Sequence, residues 1–368
     1  MHQHPGILVT IVVILITGIA GAAEPDSLSA DFIRPSSESL DIASHEEAQF
    51  ADPCATPVAG SCGGAELGGT VDLITPSGRG DRLWMLSTRH LSPYVCSADV
   101  HNVDFRVTRL DVCGNRQSEA FDHFLSQLVP GRPVVVHVHG NRMTEADANG
   151  RGRFVYHQVS RFLGSQPIDF LIFSWPSEKT GVLIRDGRDK AEMTEAEGLY
   201  FAILLRELLA REVPITVVAY SFGCRVATGG LHTLAGGTLS GRGIPGEPIK
   251  NSGITVGLVA PALEADWLAR GQYHGLASQN ISRLAILYNP RDAILKRYWL
   301  IDSATRGRAL GYTGPKRIAA GYDGRPIPLT TRDCSPFLGL RHSEMEYYCQ
   351  GCGGASTMAR LITPVSPQ

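Results

Sequence analysis

The sequence predicts an α/β fold, a mostly parallel central sheet with helices on both faces, and two observations lead there. Short apolar runs alternate with longer amphipathic stretches from about Pro133 to Asn289, the pattern of strand–helix–strand units. The runs are β-branched or aromatic and lack strict alternation, as strands buried on both faces do. They are Leu83–Ser87, Phe105–Leu110, Val134–His139, Ile168–Phe173, Ile215–Tyr220, Ile254–Val259 and Leu284–Tyr288. The first two lie close together and suit an antiparallel start.

The clearest helix runs from about Thr194 to Arg211, where Ala196, Leu199, Tyr200, Ile203 and Leu204 share one face. Thr194 is its expected N-cap, with Glu197 completing a capping box, and Pro214 stops any continuation. Glycine- and proline-rich loops occupy Gly236–Pro248, and a second long connection runs from Ala293 to Arg341. No internal repeat is evident, and no insertion is long enough for a separate lid domain.

With 368 residues, 43% of them apolar, the chain can bury a sizeable core. A net charge of −2 without a basic run excludes tracking a phosphate backbone, so no nucleic-acid partner is expected. An apolar stretch from Ile7 to Ala20, followed by Gly21, Ala22 and Ala23, reads as an export signal cleaved near residue 23. Only His2 and His4 stand where basic residues usually precede such a stretch, and a retained membrane anchor and a plain buried helix are the alternatives. Residues 24–80 are rich in Ser, Asp, Glu, Gly and Ala and read as a disordered or loosely held tether. The folded domain is expected over 81–355, with a tail over 356–368.

All eight cysteines follow the leader: Cys54, Cys62, Cys96, Cys113, Cys224, Cys334, Cys349 and Cys352. An even count in an exported chain favours disulfides. Cys54 with Cys62 and Cys96 with Cys113 are the pairs nearest along the chain. The Cys349-x-x-Cys352 pair reads as structural disulfide chemistry; the alternatives are half of a zinc site, which no second close pair follows to complete, and a redox motif, which would open a helix after a core strand. A bridge from Cys334 to Cys349 or Cys352 would enclose His342.

The run Ile215–Tyr220 leads into Ser221-Phe222-Gly223, and a helix candidate follows from Cys224. A strand turning sharply into a helix needs small residues two before and two after the turn, which Ala219 and Gly223 supply. This is the nucleophile elbow of the α/β-hydrolase fold, with Ser221 as the expected nucleophile. The alternative is an ordinary N-cap serine. A tetrahedral intermediate needs two backbone donors: Phe222 supplies one, and Asn141 or Arg142, after the strand Val134–His139, the other, with Asn141 favoured. Gly140 permits close backbone approach. His139 is expected to brace this loop rather than to transfer protons, and His137 to be core.

In this fold the partners follow in the order serine, acid, histidine. Asp292, after the strand Leu284–Tyr288, is the expected acid, with Asp302 its rival and a surface turn its alternative role. His342 is the sole histidine downstream, so it is the expected base.

Val136-His137-Val138-His139-Gly140-Asn141, Phe173-Ser174-Trp175-Pro176-Ser177 and Ala219-Tyr220-Ser221-Phe222-Gly223-Cys224-Arg225-Val226 together resemble a bacterial α/β-hydrolase family of unknown function. The resemblance covers about Arg82 to Gly353. It implies a Ser-Asp-His triad at Ser221, Asp292 and His342, and it places Trp175 and its neighbours beside the mouth of the site. Tyr220 stands where many members carry a histidine, and Asn141 replaces a common aromatic.

The expected activity is exported hydrolysis of a small-molecule or lipid-like carboxylic ester through an acyl-enzyme, with neither metal nor cofactor. An amidase or peptidase on the same residues, or a non-catalytic cell-envelope binding module, are the alternatives.

Overall fold

The computed structural model describes residues 78–111, 115–181, 183–301, 306–349 and 351–362. The expected leader, the tether up to residue 77, and Cys54, Cys62, Cys113 and Asp302 lie outside the described residues. Nine strands form one sheet: β1 (Arg82–Ser87), β2 (Arg106–Leu110), β3 (Arg116–Glu119), β4 (Val134–Val138), β5 (Asp169–Ser174), β6 (Ile215–Tyr220), β7 (Ile254–Val259), β8 (Ile281–Tyr288) and β9 (Leu329–Asp333). Their order is β3-β2-β1-β5-β4-β6-β7-β8-β9. The β1–β2 and β2–β3 pairs are antiparallel and the rest parallel, which is the mostly parallel sheet expected, with its antiparallel start.

The central strands explain the runs in the sequence. Every residue of β4, β6 and β7 is buried, so each strand is largely apolar on both faces, and the polar exceptions His137, Thr216 and Thr255 are hydrogen-bonded. The two edge strands, β3 and β9, gave no such signal. Their Arg-Gln-Ser-Glu and Leu-Thr-Thr-Arg-Asp residues are mostly exposed, and an edge strand needs no apolar run.

The helices are α1 (Phe121–Gln127), α2 (Glu145–Ser160), α3 (Leu183–Leu209), α4 (Gly223–Leu234), α5 (Leu310–Thr313), α6 (Ser335–Leu338), α7 (Glu344–Tyr348) and α8 (Gly354–Ile362). The crossover β4–α2–β5 runs one way across the sheet, while β5–α3–β6 and β6–α4–β7 run the other. Right-handed connections therefore put α2 on one face and α3 with α4 on the opposite face. Consistent with this, α3 packs on α4, and α2 packs on α7 and α8.

Two expectations are corrected here. Helix α3 begins at Leu183 rather than Thr194, because the charged stretch 184–193 is built largely of helix-forming residues and has a solvated side. Thr194 is accordingly not an N-cap: its hydroxyl donates to Ala191 O at 2.5 Å and accepts from Arg225 Nε at 3.0 Å. Glu197 is fully buried and accepts from the Thr88 hydroxyl at 2.6 Å. A capping box does form on α2, where Thr144 and Asp147 bond each other's backbone amides at 2.9 and 3.1 Å. The folded body also continues beyond residue 355. Helix α8 buries Met358, Ala359, Leu361 and Ile362 in the core, where a tail was expected.

Cys334 and Cys352 form a disulfide that encloses α6, His342 and α7. Cys349 is also disulfide-bonded, so the two cysteines of the C-x-x-C run are not joined to each other. Nearness along the chain is a poor guide elsewhere too, since Cys96 is a free, exposed thiol.

Two measurements follow. Closing the 18-residue separation between Cys334 and Cys352 stabilises by about 3 kcal/mol, so Cys334→Ser should lower the denaturant midpoint by a corresponding amount. Burial pushes the Glu197 carboxyl up to about 8, so it stays protonated in the folded chain after it has ionised in the unfolded one. That difference removes stability as pH rises from the ordinary carboxylate range to about 8. Glu197→Gln should therefore gain on the parent across that window and hold its advantage above it, as read by unfolding at a series of pH values.

Candidate active site

Ser221 follows the last residue of β6 in a left-handed conformation, φ 51°, that a residue with a side chain adopts only under constraint. Three backbone bonds supply the constraint. The Ser221 amide donates to Val259 O at 3.0 Å, and Ser221 O accepts from the amides of Cys224 at 3.0 Å and Ala262 at 3.2 Å. Gly223 is pressed against β4: a Cβ there would lie 2.3 Å from Val138 O and 2.5 Å from His139 O. Gly140 is equally confined, since a Cβ would come within 2.8 Å of the Tyr220 ring and 3.2 Å of the Ser221 Cβ. Both small residues are thus required by the close meeting of the β4 and β6 ends.

The structure brings Ser221, His342 and Asp292 together. His342 Nε2 lies 3.0 Å from Ser221 Oγ, and His342 Nδ1 lies 2.6 Å from Asp292 Oδ2. Asp292 is fully buried, and its other oxygen accepts from the amides of Ile294 and Leu295, both at 2.9 Å. That arrangement holds the carboxylate and leaves the ring one acceptor on the Nδ1 side and one hydroxyl on the Nε2 side.

Three contacts fix the His342 loop, and the sequence reading missed two of the residues that make them. Asn289, buried at the end of β8, donates through Nδ2 to Gly339 O at 3.0 Å and Arg341 O at 3.3 Å. Its Oδ1 accepts from the Arg291 amide at 2.9 Å, so one side chain ties the acid turn to the histidine loop. Glu344, two residues past His342, meets His137 of β4 at 2.8 Å with both side chains fully buried. Tyr220 donates its hydroxyl to His342 O at 3.1 Å. Asn289 stands beside the Pro-Arg-Asp turn and could have been noticed there. The His137–Glu344 pair spans 207 residues and has no local signal.

The expected oxyanion donors, the amides of Phe222 and Asn141, directly follow Ser221 and Gly140 in the chain. Neither the Phe222 nor the Asn141 amide donates a hydrogen bond to a group among the described residues. The Arg142 amide, the alternative donor, is occupied by Ser177 O at 2.6 Å. Of the Asn141 and Arg142 amides, that of Arg142 is thus the one already engaged.

His139 is a brace. Its Nδ1 lies 2.8 Å from Gly140 O, and its Nε2 lies 3.2 Å from the Trp175 amide, so Nδ1 carries the hydrogen and Nε2 accepts. Burial, reinforced by the Arg89 charge, drives its pKa well below the usual imidazole value, so the ring stays neutral. Trp175 stacks on it at 5.6 Å and donates its indole N–H to His139 O at 2.9 Å. Ser177 and Arg89 continue the clamp: the Ser177 hydroxyl accepts from the Met143 amide at 3.2 Å, and Arg89 Nη2 donates to Met143 O at 3.1 Å. Cys224, next to the elbow, is no rival nucleophile, because burial pushes its thiol well above the usual range. Among the described residues no group of three or more His, Cys, Asp or Glu side chains could hold a metal ion.

Loss of the Asn289 side-chain amide, as in Asn289→Ala, should slow reaction of Ser221 with an active-site phosphonate by about tenfold to a hundredfold. The unfolding midpoint checks that the chain remains folded.

Solved structures with a similar course of chain are esterases and a depolymerase. An inhibited esterase B from Lactobacillus rhamnosis is 12% identical, covering 77% of this chain and 86% of that one at a TM-score of 0.35. Esterase 2 from Thermogutta terrifontis is 11% identical, with coverages of 63% and 81% and a TM-score of 0.33. The poly(3-hydroxybutyrate) depolymerase LpqC from Bordetella parapertussis is 15% identical, with coverages of 71% and 89% and a TM-score of 0.35. Likeness at this level says nothing of substrate. No curated protein matches the sequence. A family profile matches residues 116–339, more than half of the chain, taking in both glycine-lined turns and Asp292 and ending just before His342. The chain belongs to that family, the α/β-hydrolases of unknown function known as DUF900.

Proposed function

We propose that this α/β-hydrolase is an exported serine hydrolase that cleaves carboxylic esters through an acyl-enzyme on Ser221. The observation that carries the reading is the unbroken chain from Ser221 Oγ through His342 to Asp292; among the described residues the Phe222 and Asn141 amides donate to no other group. His342 Nε2 takes the hydroxyl proton as Ser221 Oγ attacks the carbonyl carbon. Asp292, its own charge held by two amides, stabilises the imidazolium that results. The two free amides receive the oxyanion. His342 then returns the proton to the leaving alcohol, and a water molecule activated by the same ring releases the acid and restores Ser221.

An ester is the least demanding substrate for this arrangement, since its alcohol leaves more readily than an amine. Export is supported by the leader-like residues 7–23 and by the Cys334–Cys352 disulfide, which suits an oxidising compartment.

Fluorophosphonate labelling tests the chemistry. The parent should label, Ser221→Ala should not, and His342→Ala should label at least about 10³-fold more slowly. Asp292→Asn should cost about 10⁴-fold in kcat on a short-chain ester while leaving KM little changed. A folded, disulfide-intact parent that does not label would overturn the hydrolase reading.

A further inference from the structure

The two loops that supply Asp292 and His342 expose large apolar side chains that the proposed reaction does not use. Ile294 is 48% exposed, Trp299 46%, Phe337 47% and Leu340 64%. The Ala293 amide donates to Leu340 O at 3.0 Å, which sets Ile294 and Leu340 on adjoining loop segments of the same rim. Exposed apolar groups scattered singly mean little, but a group on the loops around one mouth marks a contact surface.

The loop after Asp292 also carries an ordered arrangement of charge. Leu295–Leu300 form a 3₁₀ turn, in which residues three apart lie on one ridge. Leu295 and Tyr298 make the buried ridge. The two outward ridges each join a cation to an apolar side chain, Arg297 with Ile294 and Lys296 with Trp299. Arg291 adds a further exposed cation just before Asp292. Across 289–301 and 333–342 the described residues hold two acids, the buried Asp292 and the exposed Asp333 at the end of β9, against the exposed Arg291, Lys296 and Arg297. Arg341 is matched by Glu346 at 2.7 Å and adds no free charge. Beside Trp299 a recess of about 380 Å³ is lined by Lys296, Arg308 and Tyr312, a basic and aromatic setting that suits a phosphate headgroup.

We infer that this rim docks the mouth of the site onto an anionic lipid surface, so that the ester it takes is presented from lipid. Apolar side chains interleaved with Lys and Arg are the composition of an interfacial contact, the former entering the acyl boundary while the latter meet anionic headgroups. An exposed tryptophan beside them suits the headgroup level. The substrate class rests on the hydrolase reading, whereas the docking needs no turnover.

The chain contains four tryptophans, and the other three are buried: Trp84 and Trp175 completely, Trp267 to 8% exposure. Quenching of full-chain fluorescence by brominated phosphatidylcholine vesicles therefore reports Trp299 and is blind to the tryptophan-free residues 1–23. With phosphatidylglycerol present the parent should be quenched, and Trp299→Phe should abolish the signal. Arg291→Ala combined with Lys296→Ala should raise the lipid needed for half-quenching about thirtyfold, each cation contributing roughly fivefold near an anionic surface. An unquenched Trp299, equal quenching with and without phosphatidylglycerol, or a rim shielded instead by self-association would each overturn the inference. Fluorophosphonate labelling in solution is read separately. Labelling without docking removes the lipid surface and leaves the hydrolase, and docking without labelling does the reverse.

Discussion

The contact between the elbow and the end of β4 is the constraint on which the rest depends. Ser221 keeps φ 51° only because its backbone is bonded to the β7 end and its helix starts against the Val138 and His139 carbonyls. A side chain at Gly223 would separate the two strand ends and with them the nucleophile and the loop of Asn141. The parallel register of β4, β6 and β7, with Val138 beside Ala219 and Tyr220 beside Val259, delivers those ends to one edge of the sheet. Strain at one residue is thereby carried by the most deeply buried part of the core.

The site is then assembled from two halves with separate supports. The half around Gly140 and Asn141 is clamped by His139, Trp175, Ser177 and Arg89, mostly through backbone carbonyls and amides. The half around His342 hangs from Asn289, Tyr220 and the His137–Glu344 pair, with the Cys334–Cys352 disulfide closing the loop behind it. His137 belongs to β4, so the buried pair joins the two halves through the strand they share. Breaking such a pair leaves an uncompensated buried group, which makes it costly to lose even where its net stabilisation is small.

Burial also decides which polar groups stay out of the chemistry. His139 and the Cys224 thiol are kept neutral by desolvation, the first as a fixed tautomer between Gly140 and Trp175. Glu197, buried under Thr88, likewise keeps its proton up to about pH 8. His139 and Cys224 adjoin the site through Gly140 and Ser221, and neither offers a charge to compete with Asp292 for the His342 ring.

The sequence by itself determined the seven apolar strands, the elbow with its two small neighbours, and the order Ser221, Asp292, His342. These are legible because burial on both faces and a strained turn each demand particular residues at short spacing. Edge strands β3 and β9 were invisible because they answer to solvent on one side, and the start of α3 because its first turns carry no apolar period. The roles of Asn289, His137 and Glu344 in holding the His342 loop, the bonding of the Arg142 amide to Ser177 O, and the joining of Cys334 to Cys352 were decided only by the tertiary structure. Each depends on groups that the chain separates and the sheet brings within hydrogen-bonding or bonding distance, and no local pattern records that meeting.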